Sequence, residues 1–250
     1  FLHGIKSHVY VALRLFADVR SAELGRSVDE YCAAPIGEVT KLKGWKELDT
    51  LIKSSDGWPA DKRYYFISKM VCHASNYGMK PPTFRINMLQ KSEGKVSISL
   101  AEAKRFLNTY HQLFPEIQLW QKETINTLRR DGILRNLFGY PRVFTAQVEE
   151  SMYKEAYAFV PQSTVGTITN LTFSKMQQKI ENPNDKLSTM DVDIVQNNHD
   201  SVLLQCPPEH ADYVAEQTVN VMNCDLISPR GEKFKMKSEA CIGDTWGGLA

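Results

Sequence analysis

The sequence predicts an α+β fold, with a mostly helical region first and a smaller region built on an antiparallel sheet second. Three observations carry this prediction. Up to the polar turn "NPNDK" at 182–186, apolar residues recur mainly at helical spacing. Beyond it, "DVDIVQNNHDSVLLQCP" holds two strand-like runs on either side of Asn197–Asp200, a hairpin signal. One more helical stretch and one alternating stretch follow, so the order becomes strand, turn, strand, helix, strand.

Residues 3–24 space Val9, Ala12, Leu13 and Phe16 along one apolar helix face. Residues 33–61 are rich in Gly, Pro, Ser and Lys and read as short helix and loop. "KRYYFISKMVCHASNYGMK" (62–80) reads as a helix, with Asp56 or Asp61 at its N-terminus. "SISLAEAKRFLNTYHQLFPEIQLWQKETINTLRRDG" gives two helices broken near Pro115, the first capped by Ser97 or Ser99 and the second stopped by Gly132. "ILRNLFGYPRVF" suggests a turn or short hairpin around Gly139-Tyr140-Pro141. "VEESMYKEAYAFVPQSTVGTITNLTFSKMQQKIEN" reads as a long helical region with a break at Pro161. "PEHADYVAEQTVNVMN" is a further helix, and "KFKMKSEACIG" alternates like a final strand.

Hydrophobic residues make up 42% and charged residues 24% of the 250, which is ordinary for a globular protein. The formal net charge of +1 gives no overall attraction to nucleic acid, so any such role must rest on local patches. Apolar runs are too short to span a bilayer, and no signal peptide opens the chain. The five cysteines are scattered singly, which argues against a zinc site or disulfide framework and fits a reducing compartment. The chain begins with Phe1 rather than Met, so it is expected to be a piece of something longer or a processed product.

Four clusters could carry chemistry. Lys69, His73 and Tyr77 lie four apart, on one helix edge that stops at Gly78. That edge is either a solvated amphipathic face or a grip for a polyphosphate and a base. His199-Asp200 at the hairpin tip is either ordinary turn chemistry or a carboxylate placed to ligate Mg²⁺. In "VPQSTVGT" (160–167), Gln162, Ser163 and Thr164 either cap a broken helix or touch a nucleic-acid backbone. Arg135 and Arg142 of "RNLFGYPR" are either surface arginines or phosphate contacts.

The four occur in an order that resembles the C-terminal part of family A DNA polymerases. Lys69, His73, Tyr77 and Gly78 match the spacing of that family's fingers helix, and "KMVCHASNYGM" looks like its phage-type form. "FPEIQLW" resembles its FP-x-x-x-x-W segment, "LFGYPR" its L-x-G-x-x-R turn, and "PQSTVGT" a helix that approaches the primer–template. "HDS" resembles the carboxylate-bearing motif C, and "EACIGDTWG" the closing strand. His8, with Ala12 and Phe16, looks like the His-x-x-x-Ala segment upstream of the fingers helix. The resemblance runs from about His3 to Gly247.

The resemblance implies an incomplete polymerase right hand. Residues 1–145 would form the fingers and an adjoining palm helix, and 146–250 the palm with the motif C hairpin. Lys69 would grip the incoming dNTP, with His8 as a second phosphate contact. His73 and Tyr77 would pack against the nascent base pair, and Gly78 would let the backbone approach. Asp200 would be the metal ligand for two Mg²⁺ ions, and His199 would support the primer end. Gln162, Thr164 and Arg142 would contact duplex DNA. Primer–template DNA and dNTPs are the implied partners, with no membrane, in a bacterial or phage-infected cytoplasm.

The sequence departs from the family pattern in four places. Tyr65 stands where an arginine for the γ-phosphate is expected, and Lys62 is the expected substitute. Ser201 removes a second motif C carboxylate, and Lys6-Ser7 replaces an acidic residue before His8. The other metal-binding aspartate, in motif A, has no counterpart before His8, and Asp191 and Asp193, on the opposite strand of the predicted hairpin, are not expected to replace it. A fragment or split-enzyme half is therefore expected. It would be inactive without an N-terminal segment carrying motif A and the thumb, and would expose a sheet edge. The alternatives are a single-subunit RNA polymerase-like enzyme and a DNA-binding polymerase fragment without chemistry.

Overall fold

The computed structural model describes residues 6–53, 64–145 and 149–249. They divide into two compact units. The first takes in 1–132 and 144–157, the second 133–143 and 158–250.

The first unit is built around α1 (Ser7–Leu15). This helix buries residues on every side, as a helix at the centre of a core must. Val11 and Leu15 face a cluster with Ile67, Val71, Phe84, Phe106 and Tyr110. Val9, Tyr10, Ala12 and Leu13 face another with Tyr31, Trp45, Leu48 and Ile52. The single helix expected over 3–24 is interrupted at Phe16, whose backbone leaves the helical region at φ −132°, ψ 35°. Its ring packs on Tyr64 and Phe106, with centroids at 4.4 and 5.7 Å. That packing sends α2 (Ala17–Leu24) off on a new course. Three short helices follow, α3 (Asp29–Ala33), α4 (Ile36–Val39) and α5 (Trp45–Lys53), of which α4 and α5 lie in the 33–61 stretch expected to hold short helix and loop. The N-terminal cap positions proposed for the next helix, Asp56 and Asp61, lie outside the described residues, as does Lys62.

Helix α6 (Tyr64–Asn76) is followed by α7 (Pro81–Lys91), which the sequence reading did not foresee. Pro81-Pro82 reads as a breaker, yet prolines at the first helical positions start a helix rather than stop it. Phe84 and Met88, one turn apart and fully buried, fix α7 on the core, each at about 1.5–3 kcal/mol. Helix α8 (Leu100–Leu113) opens with a reciprocal capping box between Ser99 and Glu102. Helix α9 (Pro115–Asp131) ends at Gly132 in the left-handed region, φ +64°.

In the second unit, β1 (Ile133–Arg135) and β2 (Pro141–Val143) form the hairpin foreseen around Gly139-Tyr140-Pro141. Helix α10 (Glu150–Glu181) gives its first turns to the first unit and the rest to the second. Its 32 residues make about 48 Å of helix. The break expected at Pro161 does not form, so Gln162, Ser163 and Thr164 do not cap a new helix. Strands β3 (Asp193–Asn198) and β4 (Ser201–Gln205) pair antiparallel, with a register shift between Ile194 and Gln196. Their inner face meets Met176, Leu187, Val192 and Val214, the last from α11 (Ala211–Met222). Strands β5 (Asp225–Ile227) and β6 (Lys233–Lys235) close the unit. The final strand expected over "KFKMKSEACIG" stops at Lys235, because β5 offers only three residues to pair with.

The fold is thus mostly helical with small antiparallel strands. Among the described residues these strands form three separate two-stranded pairs rather than one sheet. No helix among them is long and apolar enough to cross a membrane.

Candidate functional site

Helix α6 buries Ile67, Ser68, Val71, Cys72, Ala74 and Ser75, and this leaves the opposite edge to Lys69, His73 and Tyr77. Lys69 and His73 are exposed, and Tyr77 is half-buried. The rings of His73 and Tyr77 lie nearly parallel, 21° apart with centroids at 6.4 Å. His8, on α1, joins this edge. Burial holds its imidazole below the ordinary histidine value, and the neighbouring charges of Lys69, His73 and Lys6 push it further the same way. The shift favours the neutral imidazole, which has one N–H donor and one acceptor nitrogen. Tyr65 turns its ring edge-on to His8 at 6.0 Å and packs against the core that holds Trp45 and Leu48.

The end of α6 is held from outside the helix. Gln121 of α9 donates to the carbonyls of Ser75 and Asn76 at 2.8 and 3.0 Å, two groups that a helix C-terminus leaves without intrahelical donors. Tyr110 of α8 donates to Asn76 Oδ1 at 2.6 Å. Gly78 then adopts φ +65°, and a Cβ there would lie 2.9 Å from Tyr157 Cε2. Glycine is required on both counts. Gln121 and Tyr110 went unnoticed in the sequence because their role depends on contacts between helices.

In the second unit, His199 and Asp200 are the two loop residues of the β3–β4 hairpin, and both are exposed. His199 has φ +49°, uncommon for a residue with a side chain. Asn197 donates to Asn170 Oδ1 at 2.7 Å, tying the hairpin to α10. Arg142 on β2 and Gln162 on α10 are exposed, and the Arg142 guanidinium lies 6.0 Å from the centre of the Phe159 ring. Thr164 is only 4% exposed, and its hydroxyl is engaged inside the protein. It donates to the Val160 carbonyl at 2.7 Å and accepts from the Leu137 amide at 3.3 Å. Asn136, which sequence reasoning passed over, is buried beside it at the base of the turn.

A Mg²⁺ site needs several oxygen ligands around one point. Among the described residues no three His, Cys, Asp or Glu side chains are grouped to hold a metal ion. Asp200 is a single exposed carboxylate. Asp193 pairs with Gln205 at the far end of the hairpin, five residues from Asn198. At about 3.3 Å per residue that is roughly 16 Å, too far to share a cation with Asp200. Asp191 lies farther along the chain still, before β3 begins. The described residues therefore do not make up a cation site by themselves.

These elements define a class of fold. The structure is similar to the POL domain of Pol1 from M. smegmatis, solved in complex with DNA primer-template and dNTP. The TM-score is 0.53, over 87% of this chain and 35% of that one; at 16% identity the likeness is one of fold. The match to the model of DNA polymerase family A extends over residues 60–248, and the chain belongs to that family. Among curated relatives, the thermostable DNA polymerase I of Thermus aquaticus is 26% identical over 158 residues, covering 61% of this chain and 18% of that protein. DNA polymerase theta of Drosophila melanogaster is 24% identical over 189 residues, covering 72% of this chain and 8% of that protein. The chain thus spans less than a fifth of either relative's length.

Proposed function

We propose that this chain carries the nucleotide-binding edge and one catalytic carboxylate of a template-directed DNA polymerase. The observation that carries the reading is the α6 edge: Lys69, His73 and Tyr77 in line, His8 beside them, and Gly78 at the end. Membership of DNA polymerase family A and the dNTP and primer-template in the M. smegmatis structure support it. In this reading residues 1–145 are the fingers with an adjoining palm helix, and 146–250 the palm.

Lys69 supplies charge to the triphosphate, and neutral His8 donates a hydrogen bond to it. His73 and Tyr77 offer flat surfaces to the nascent base pair, and Gly78 brings the backbone close. Lys62 remains our assignment for the γ-phosphate contact. His199 supports the primer end, and Arg142 and Gln162 face the duplex. Thr164 positions the turn before Arg142 rather than touching DNA. The reaction is nucleotidyl transfer: the primer 3′-hydroxyl bonds to the α-phosphate of the dNTP, and pyrophosphate leaves.

The polymerase reading needs two Mg²⁺ ions, with Asp200 as one ligand and a second carboxylate from outside the described residues. The strand that would bring it is expected to pair with β3 or β4, neither of which pairs with a third described strand. Val195, on β3, is 54% exposed. A second reading, a DNA-binding fragment without chemistry, is favoured by the lack of a metal-holding group around Asp200 among the described residues.

Single-nucleotide primer extension separates the two. It should be run with Mg²⁺ on this chain assembled with a segment that supplies the motif A aspartate. Lys69→Ala is expected to lower kcat/KM by on the order of a hundredfold. Asp200→Ala is expected to abolish incorporation while leaving duplex binding unchanged. Wild-type rates from Asp200→Ala overturn the catalytic assignment, and duplex binding with no incorporation by the unaltered assembly favours the second reading.

A further inference from the structure

We propose that Asn136 is a positioning residue for double-stranded nucleic acid. It locks the Leu137–Tyr140 turn onto α10, so that Arg142 and Gln162 are presented as one fixed surface. The inference rests on the reading of those two residues as duplex contacts.

A primary amide has two donor hydrogens and one acceptor oxygen with two lone pairs. Asn136 is 5% exposed and uses all four. Its Oδ1 accepts from the Phe138 and Tyr140 amides, both at 3.0 Å, which closes the turn from inside. Its Nδ2 donates to the Ser163 carbonyl at 3.2 Å and to Thr167 Oγ1 at 3.0 Å, both on α10. The orientation is unambiguous, because a flipped amide would set its NH₂ against two N–H donors. The backbone adds to the closure: the Asn136 amide donates to the Tyr140 carbonyl at 3.0 Å, and the Gly139 amide to the Asn136 carbonyl at 2.9 Å. Thr164, also on α10, accepts from the next amide along, that of Leu137.

A carboxylate would keep the acceptor half of this arrangement and lose the donors, and an aliphatic side chain would lose both. Of these three kinds of side chain at position 136, the amide alone bonds turn and helix at once. The joined surface has the chemistry of a duplex reader. Arg142 supplies a guanidinium for a phosphate, and Gln162 an amide that can donate and accept. Tyr140, 60% exposed where the turn closes against Asn136, adds an aromatic face. The polar cluster "PQSTVGT" and the turn "RNLFGYPR", separate in sequence, are thereby one device with Asn136 as its fastener.

The test is a double-mutant cycle read by anisotropy of a fluorescein-labelled primer–template DNA across a salt series. Arg142→Ala is expected to weaken binding about tenfold and to reduce the log–log salt slope by about one, as loss of one phosphate contact does. Asn136→Ala should reproduce both changes, and the double variant should bind no more weakly than either single. Thr167→Val, which cuts one tie to the helix and leaves the turn intact, should shift affinity and slope in the same direction. It also serves if Asn136→Ala does not fold. A folded Asn136→Ala with wild-type affinity and slope overturns the inference, as does full additivity in the double variant or a wild-type slope in Thr167→Val. If the unaltered chain does not bind duplex at all, the assignment of Arg142 and Gln162 fails, and this inference fails with it.

Discussion

Two residues on the α6 edge decide how it behaves, and each does so by a different physical effect. Gly78 combines φ +65° with the close approach of Tyr157, so any side chain meets both backbone strain and a ring. Gly78→Ala is expected to destabilise the protein by about 1–3 kcal/mol, measured by urea unfolding; an unchanged midpoint would contradict the close approach. His8 is held below its ordinary value of 6.5, so between its folded value and 6.5 the unfolded chain binds more protons than the folded one. Stability should therefore be fully present above about 6.5 and fall as pH drops through the folded value. His111, whose imidazole is pushed down by burial, acts in the same direction. His8→Gln should flatten part of that slope in urea midpoints taken across the range, and an unaltered slope would remove His8 as its source. Lys69, His73, Tyr77 and Gly78 were legible in the sequence from their spacing and His8 from the family resemblance, but their surroundings were not. Tyr65 beside His8, and Gln121 and Tyr110 at the end of α6, are brought there by helices distant in sequence.

Helices were legible where the signal is local. Ser99 and Glu102 form their box from residues three apart, and Gly132 stops α9 through its own backbone freedom. Ser99→Ala should cost about 1 kcal/mol in unfolding free energy, with no change in cooperativity. The carboxylate of Glu102, held low chiefly by the Ser99 amide, adds stability above the usual glutamate range that is lost as pH falls through its folded value. Elements were misread where tertiary packing overrides the local signal. Phe16 leaves a helix to reach an aromatic cluster, and Pro81-Pro82 starts α7 because Phe84 and Met88 have a core to enter. Pro161 sits inside α10 without ending it, and the hydroxyls of Ser163, Thr164 and Thr167 return bonds to carbonyls of that same helix.

At the scale of the molecule, the order of helices before strands was enough to give the fold class. The joining of strands was not. Pairing depends on partners that the pattern of one strand does not name, and the described strands settle into three separate pairs. The site follows the same rule. Lys69 and Asp200 were found as residue types in a recognisable order, whereas Asn136 was invisible because its importance lies in four simultaneous hydrogen bonds. Family membership rests on most of the chain, and the assignment of roles rests on the α6 edge. The most direct measurement of that edge is a dNTP titration followed by the imidazole NMR signals of His8 and His73. The proposed site predicts saturable shifts of both rings that disappear in Lys69→Ala. Rings that do not respond, or that respond equally without Lys69, would contradict the nucleotide-binding edge.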